Sequence, residues 1–309
     1  MIYTLTLSPS IDYIVELSEV KLGELNRTQN EAKFPGGKGI NVSRLLKRMG
    51  IESIPTGFLG GFTGRYIEDY LQKEDIQTDF VQVAEDTRIN IKLKTKTETE
   101  INAKGPAIQE EDLTELKRKI SQLSANDHLV LAGSVPSSMP ATIYEELVKI
   151  CSANGVTFTV DAEGDLLKKV LPYKPLLIKP NHHELGELFE VSISNAQEAI
   201  PHGKKLIEMG AQHVIVSLGG HGAVLITKDG TYFASAPKGV VKSTVGAGDS
   251  MVAGFLASLK KQRPLKEAFQ YSVASGSATA FSVGLCTKEK ADELLPSVTI
   301  KELFKEGQQ

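Results

Sequence analysis

The segment Ser243–Phe255, STVGAGDSMVAGF, carries the residues best suited to chemistry in this chain. Gly246 and Gly248 leave the backbone open to an anion, and a helix that begins there would have several unpaired N–H groups. Those donors and the positive end of the helix dipole form an anion site. Asp249, beside that site, could take a proton from a hydroxyl that attacks a phosphoryl group. In isolation the pattern more often marks a glycine turn with Asp249 as helix N-cap, so the rest of the chain must decide.

A second glycine-rich segment, FPGGKGINV, covers Phe34–Val42. Apolar residues follow it at helical spacing up to Gly50, so the segment is predicted to lead into a helix with Lys38 and Asn41 in its first turn. It is not a Walker A sequence, because Gly39 follows the lysine where Ser or Thr is required. A structural tight turn would explain the glycines but not the lysine among them. The segment predicts a second place where a ligand approaches the backbone.

Other polar residues follow predicted strands. Asp12 stands just after the strand that ends at Ser8-Pro9, where it could also be a turn residue. Glu184 stands in KPNHHE, and it could help to hold magnesium, which takes few carboxylates when phosphates are near, or be a solvated residue of a helix start. The adjacent His182 and His183 would point in different directions, and no third ligand stands out, so zinc is disfavoured.

The elements that must position these residues alternate between strands and helices. Unalternating apolar strands such as HVIVS (213–217) predict a largely parallel sheet with helices on both faces. Ligands of such sheets bind outside the carboxyl ends of the strands. Most glycine and polar clusters are predicted to lie at that edge, namely 8–12, 36–41, 133–134, 179–184, 217–222 and 246–249. The clusters therefore predict one common site.

One strand has a different pattern. Residues 86–96 alternate between apolar and polar side chains, which predicts a half-exposed antiparallel strand. The apolar set is Ile89, Ile91 and Leu93, and the polar set is Arg88, Asn90 and Lys92. With roughly residues 12–34, this strand is predicted to form a small β layer outside the main sheet, its polar face turned to a ligand. Arg88 could equally be a solvated strand residue.

The composition excludes several classes of protein. The 309 residues are 41% hydrophobic and 24% charged, and a net charge of −3 argues against a general binder of nucleic acid or membrane surfaces. Cys151 and Cys286 form no C-x-x-C, which excludes a disulfide framework or cysteine zinc site and fits a reducing compartment. The start has no signal-peptide pattern, and no stretch of about 18 apolar residues occurs, so a cytoplasmic protein is expected. Missing G-x-G-x-x-G and G-x-S-x-G motifs disfavour dinucleotide dehydrogenases and α/β-hydrolases.

With these residues assembled, the chain resembles the ribokinase/PfkB family of sugar kinases along essentially its whole length. The matching segments are PGGKGIN (35–41), KPNHHE (179–184), SLGGHGA (217–223) and STVGAGDS (243–250). Two glycine signatures in this order, with N-x-x-E between them, are specific together. The resemblance implies an α/β fold: a three-layer α/β/α sandwich with a mainly parallel central sheet. It also implies a single kinase domain over residues 1–309, with a β-sheet lid made from about 12–34 and 87–103.

The resemblance also implies roles for individual residues. Asp249 would be the base for the sugar hydroxyl, and Gly246, Ala247 and Gly248 would line the anion hole for the moving phosphoryl group. The substrate-binding residues would be Asp12, Arg27, Gly36, Gly37, Lys38, Asn41, Arg88 and Ser134. The nucleotide-binding residues would be Lys179, Asn181, Ser217, Gly219, Gly220, Gly222 and Ser277. Glu184 would hold Mg²⁺ through water. Arg27, Lys38 and Arg88 are expected to hold the substrate's phosphate, because converging cations suit a dianion.

Within the family, the resemblance is closest to kinases that transfer a phosphoryl group from ATP, with Mg²⁺, to the 6-hydroxyl of fructose 1-phosphate. The segments that favour this choice are TLSPSID, GELNRT, TRINIK and especially STVGAGDSMVAGF. Tagatose 6-phosphate and fructose 6-phosphate are alternative substrates, and a non-catalytic sugar-phosphate-binding regulator is a remote alternative. Dependence on K⁺ stays open, because residues 281–286 match no monovalent-cation pattern. A homodimer through the apolar face of the lid is expected, with neither nucleic acid nor membrane as a partner.

Overall fold

The computed structural model describes residues 1–136 and 138–305. The strands are β1 (Ile2–Thr6), β2 (Ser10–Glu16), β3 (Asn30–Gly36), β4 (Ser53–Gly60), β5 (Asp79–Val83), β6 (Arg88–Lys94), β7 (Glu98–Asn102), β8 (His128–Ala132), β9 (Thr157–Asp161), β10 (Leu177–Ile178), β11 (His213–Ser217), β12 (Ala223–Thr227), β13 (Gly230–Ala234) and β14 (Ile300–Lys305). The helices are α1 (Lys38–Arg48), α2 (Gly61–Lys73), α3 (Glu110–Ser121), α4 (Ile143–Ala153), α5 (Gly164–Val170), α6 (His182–Phe189), α7 (Ala196–Glu208), α8 (Ala247–Lys260), α9 (Leu265–Ala280) and α10 (Lys288–Leu294).

Ten strands form the main sheet, in the order β14-β13-β12-β11-β10-β9-β8-β1-β4-β5. From β11 to β5 every neighbouring pair is parallel, and β12, β13 and β14 add an antiparallel edge. Both faces are covered, as β8 shows: Leu129 and Leu131 belong to one buried cluster, Val130 and Ala132 to another. Successive side chains of a strand point to opposite faces. Because both faces of β8 are buried, its consecutive residues are all apolar and do not alternate with polar ones. The predicted α/β sandwich is confirmed.

The small sheet has four strands, in the order β3-β2-β6-β7. The β2–β3 and β6–β7 pairs are antiparallel, but β2 and β6 run parallel. The prediction of an antiparallel strand is therefore right for one edge of β6 and wrong for the other. The physical reason is connectivity, because the chain passes through α1, β4, α2 and β5 before it returns, which allows the crossover that parallel strands need. This sheet coincides closely with the two segments predicted to stand outside the main sheet.

Two helices contain residues that often interrupt helices. Helix α2 begins at Gly61, directly after Gly60. Gly61 has φ +63° and Gly60 is extended, so the turn is completed within two residues. Helix α7 begins at Ala196 and continues through Pro201. No helix within the described ranges is long and apolar enough to cross a membrane.

Candidate active site

A cavity of about 1230 Å³ lies between the small sheet and the carboxyl ends of the main-sheet strands. Of the predicted site residues, it is lined by Asp12, Gly37, Lys38, Asn41, Arg88, Ser134, Lys179, Asn181, Glu184, Ser217, Gly219, Gly220, Gly222, Gly246, Ala247, Gly248, Asp249 and Ser277. Most of them come from distant segments that meet because the carboxyl ends of parallel strands share one edge. Asp12 and Arg88 belong instead to β2 and β6 of the small sheet, which covers that edge. The structure thus brings the predicted clusters together in a single cavity.

Two predicted residues do not line this cavity. Arg27 is exposed in the segment between β2 and β3, so the expected group of three cations does not form within one chain. Gly36 is buried at the end of β3, and a Cβ there would lie 2.5 Å from Oδ1 of Asp12. Its small size therefore makes room for the Asp12 carboxylate.

Asp249 lies in the first turn of α8 and is only 5% exposed. The N-cap of this helix is Gly246, with φ +78° and no side-chain cap hydrogen bond. The simple interpretation of Asp249 as an N-cap residue is therefore wrong. Asn41 donates a hydrogen bond from Nδ2 to Oδ2 of Asp249 over 2.8 Å. Burial, with a contribution from Asp161, raises the pKa of Asp249 to about 6, despite the opposing effects of Asn41, Lys38 and Lys179.

Asp161, at the end of β9, is a site residue that the sequence interpretation missed. Its side chain is 4% exposed and lies between two lysines, 3.5 Å from Nζ of Lys38 and 3.4 Å from Nζ of Lys179. Burial alone would raise the pKa of Asp161, but Lys179 and Lys38 hold it below its usual value. Its place at a strand's carboxyl end was the available signal. The two lysines are thereby fixed by a buried carboxylate.

Lys38 was expected to be a cation free to bind the substrate's phosphate, but the structure pairs it with carboxylates of the protein. Besides Asp161, the exposed Glu163 carboxylate lies 3.7 Å from its Nζ. Burial would lower the pKa of Lys38, but Asp161 and the other carboxylates around the cavity raise it above its usual value. Lys38 therefore stays charged throughout the neutral range, and its position is set by carboxylates of the same chain.

Asn181 and Glu184 form the capping box of α6. Oδ1 of Asn181 accepts from the N–H groups of His183 and Glu184, and Oε2 of Glu184 accepts from the N–H of Asn181 over 2.7 Å. Burial raises the pKa of Glu184, with a hydrogen bond from Asn181 opposing it. Within residues 1–136 and 138–305 no cluster of three or more metal-ligating side chains occurs. A single oriented carboxylate fits Mg²⁺ held largely by water and phosphate.

The small sheet contributes polar side chains from β2, β6 and β7. Arg88 donates to the carbonyl oxygens of Ser8 and Ala103 over 3.0 and 3.2 Å, which orients its guanidinium without neutralising it. Burial lowers the pKa of Arg88, with the Asp12 carboxylate opposing this effect. Asn90, Lys92, Glu100 and Asn102 also line the cavity and were assigned no role from the sequence. The alternation in β6 had placed Asn90 and Lys92 on the same face as Arg88, and that was the signal for them.

Glycines at the remaining wall allow close approaches of the backbone. At Gly222, φ is +96° and a Cβ would lie 2.0 Å from the carbonyl oxygen of Ala234. At Gly248 a Cβ would lie 2.9 Å from Nζ of Lys179. Ser217 and Ser277 lie along the same cavity, on β11 and α9. Packing therefore requires a glycine at 222, where a side chain would meet the backbone, whereas a larger residue at 248 would have to displace the end of the Lys179 side chain.

Comparison with known proteins identifies relatives over the whole length of the chain. The model of the pfkB family carbohydrate kinases matches residues 5–292. The chain is 52% identical to a 1-phosphofructokinase of Bacillus subtilis (strain 168), covering 98% of this chain and 100% of that protein. It is 40% identical to a D-tagatose-1-phosphate kinase of Bacillus licheniformis, with the same coverage. A crystal structure of phosphofructokinase-2 from Escherichia coli in complex with potassium is similar, with a TM-score of 0.90, 27% identity, and 96% and 98% coverage.

Proposed function

The chain belongs to the pfkB family of carbohydrate kinases, and we propose that it transfers the γ-phosphoryl group of ATP to the 6-hydroxyl of fructose 1-phosphate. The products would be fructose 1,6-bisphosphate and ADP. One observation carries the proposal: a buried carboxylate, that of Asp249, directly follows the glycine loop at the start of α8. A base next to an anion site is the pair of groups that phosphoryl transfer to a hydroxyl requires.

Asp249 would take the proton of the 6-hydroxyl as its oxygen attacks the phosphoryl group. Asn41 occupies one carboxylate oxygen, so the other can face the hydroxyl. The pKa of about 6 keeps the carboxylate ionised at neutral pH and close enough in proton affinity to serve as a base. The unpaired N–H groups and dipole at the start of α8 would stabilise charge on the moving phosphoryl group.

The residues around the base fit Mg²⁺ and ATP. Glu184 would hold the metal through water, and the metal would neutralise charge on the phosphates. Lys179 and Lys38, held by Asp161, place two positive charges at the same cavity. Ser217, Gly219, Gly220, Gly222 and Ser277 line the proposed nucleotide region. These contacts support an ATP-dependent kinase over a binding protein without catalysis.

Arg88 supports a phosphorylated substrate. Its guanidinium lines the cavity and is oriented by two carbonyl oxygens, and its half-buried position makes an anionic ligand favourable. The choice of fructose 1-phosphate draws on the similarity to a 1-phosphofructokinase of Bacillus subtilis. Tagatose 1-phosphate enters as a candidate through the similar kinase of Bacillus licheniformis. Fructose 6-phosphate and tagatose 6-phosphate remain the other candidates.

An ADP-release assay with Mg²⁺ and the four sugar phosphates tests the proposal. We expect kcat/KM for fructose 1-phosphate to exceed the other values by at least about tenfold, because a fitted polar site rejects misplaced hydroxyls. A higher value for another sugar would replace the proposed substrate. Sugar-phosphate binding without ADP release would favour a regulator.

Parallel assays in K⁺ and Na⁺ buffers would show a potassium requirement, since a similar structure is described in complex with potassium.

The small sheet also supports a homodimer. Its face away from the polar row carries Ile89 and Ile101, which are 36% and 53% exposed, and the neighbouring segment exposes Leu22 and Leu25. A second copy covering this face would bury these side chains. Ile101→Glu should shift the mass measured by analytical ultracentrifugation to that of the monomer, whereas a wild-type monomer would refute the dimer.

We propose that the protein is cytoplasmic, because its two buried cysteines would stay reduced there.

A further inference from the structure

Asn90 lies at the centre of the small sheet and turns its side chain toward the cavity. The residue is only 8% exposed. Its Nδ2 group donates to Oδ1 of Asp12 over 3.4 Å. Its Oδ1 atom is buried, and within residues 1–136 and 138–305 no donor reaches it. A buried carbonyl oxygen without a donor is unfavourable, so the site is incomplete without a ligand that donates a hydrogen bond.

The orientation of this amide follows from its neighbour. An ionised carboxylate can only accept hydrogen bonds, so the NH₂ group of Asn90 must face Asp12 and the oxygen must face away. Asp12 is itself held by Ser10, whose hydroxyl donates to Oδ1 over 2.8 Å, and by Lys92, whose Nζ lies 3.9 Å from Oδ2. The unpaired oxygen is therefore presented in one direction by a chain of fixed side chains.

The strand register explains why these acceptors stand side by side. Asp12 of β2 is opposite Asn90 of β6, which is opposite Asn102 of β7. Directly paired residues share a face of the sheet, and all three residues line the cavity. Asp12 and Asn90 thus present neighbouring acceptors to whatever enters, a pattern that fits two neighbouring hydroxyl groups of a sugar.

We propose that Oδ1 of Asn90 accepts a hydrogen bond from a secondary hydroxyl of the phosphosugar, and that Asn90 thereby selects the configuration at that carbon. This inference rests on the proposed function, because it assigns a specificity-determining residue within the same site. A sugar with the hydroxyl inverted would leave Oδ1 buried and unpaired. Sites that depend on such a hydrogen bond discriminate far more strongly than apolar pockets of the same shape.

The test compares fructose 1-phosphate with its epimers at C4 (tagatose 1-phosphate) and C3 (psicose 1-phosphate). The wild-type enzyme should prefer fructose 1-phosphate over at least one epimer. Asn90→Ala should lower kcat/KM for fructose 1-phosphate about 10- to 100-fold, as expected for one lost buried hydrogen bond. Values for the disfavoured epimer should change by less than about threefold, so that the ratio collapses. The KM for ATP should stay within about twofold of wild type, since the nucleotide residues are elsewhere on the cavity wall.

Asn126→Ala is the matched control, because Asn126 is an exposed asparagine that does not line the cavity. It should leave all three sugars within about threefold of wild type. If Asn90→Ala does not fold, Asn90→Ser takes its place, because it also removes the amide oxygen but leaves a small polar side chain at this position. An equal loss on every sugar, or an unchanged ratio, would overturn the inference.

The test of Asn90 can succeed or fail independently of the proposed substrate. A wild-type enzyme that prefers 6-phosphates refutes fructose 1-phosphate as the substrate, but it leaves the role of Asn90 open to the same measurement. Fructose 6-phosphate and its epimers at C4 (tagatose 6-phosphate) and C3 (psicose 6-phosphate) then replace the 1-phosphates. Collapse of their ratio in the Asn90 variant supports the inference, and an unchanged ratio refutes it.

Discussion

The two walls of the cavity hold their polar groups in different ways. At the edge of the main sheet, charges satisfy one another: Asp161 lies between Lys38 and Lys179, and Asn41 bonds to Asp249. On the small sheet Lys92 is paired with Glu100 and Asp12. Arg88, however, donates to carbonyl oxygens, and Oδ1 of Asn90 has no donor among the described residues. The first wall is preorganised before a ligand arrives, as catalysis requires. The second is completed by its ligand, as recognition requires.

The largest effect is expected at the base of the preorganised wall. Asp249→Asn should lower kcat about 10²- to 10⁴-fold, because the amide cannot accept the hydroxyl proton. ATP binding, measured by calorimetry, should stay within about threefold of wild type. Asp165→Asn provides the control, since Asp165 is 88% exposed outside the cavity and should behave like wild type. A near-normal kcat in Asp249→Asn would remove the assigned base.

The ion pairs of the same wall can be broken at Asp161. Asp161→Asn would leave Lys38 and Lys179 without their shared buried carboxylate, and we expect the free energy of unfolding to fall by about 3–5 kcal/mol. Glu163→Gln removes the other carboxylate near Lys38, but this side chain is 62% exposed and should cost at most about 1 kcal/mol. Urea unfolding measures both changes. Equal effects of the two substitutions would mean that the wall is not organised by Asp161.

The recognition wall should respond through substrate binding. Arg88→Glu should raise KM for fructose 1-phosphate about 10- to 100-fold, because a charged hydrogen-bond donor to the phosphate is replaced by a repelling carboxylate. The KM for ATP should change by less than about threefold. Arg65→Glu makes the same charge change at an exposed position of α2 and should leave both KM values unaltered. An unchanged KM for the sugar in Arg88→Glu would remove Arg88 from the phosphate site.

The smallest expected effect concerns pH. Asp249 must be ionised to act as a base, so kcat/KM should fall as pH drops through about 6, the pKa of its carboxyl group in the free enzyme. Asn41→Ala removes a hydrogen bond that favours the ionised form, and the acid limb should therefore move to higher pH, by up to about one unit. The substrate's own phosphate titrates identically in both assays, so the difference reports on the enzyme. A shift to lower pH would contradict the assignment.

Much of this site could be predicted because glycines and polar residues at strand ends are local signals. The loop before Asp249, the capping box of Asn181 and Glu184, and the cavity position of Arg88 all follow from short patterns. Arg27 could not be placed in this way, because a basic residue in a turn-like segment carries no information on which way the segment folds. The structure leaves it exposed outside the cavity of its own chain.

The sequence by itself determined the parallel α/β architecture, the separate small sheet and the shared edge where the clusters meet, since hydrophobic periodicity and glycine positions are local properties. Only the tertiary structure decided which groups face each other. The link between Lys38 and Asp161 depends on β9 standing next to β8 at the edge where α1 begins. The row of Asp12, Asn90 and Asn102 depends on the register of three strands from distant segments. Such registers arise from packing over the whole domain, and a pattern within one strand does not contain them.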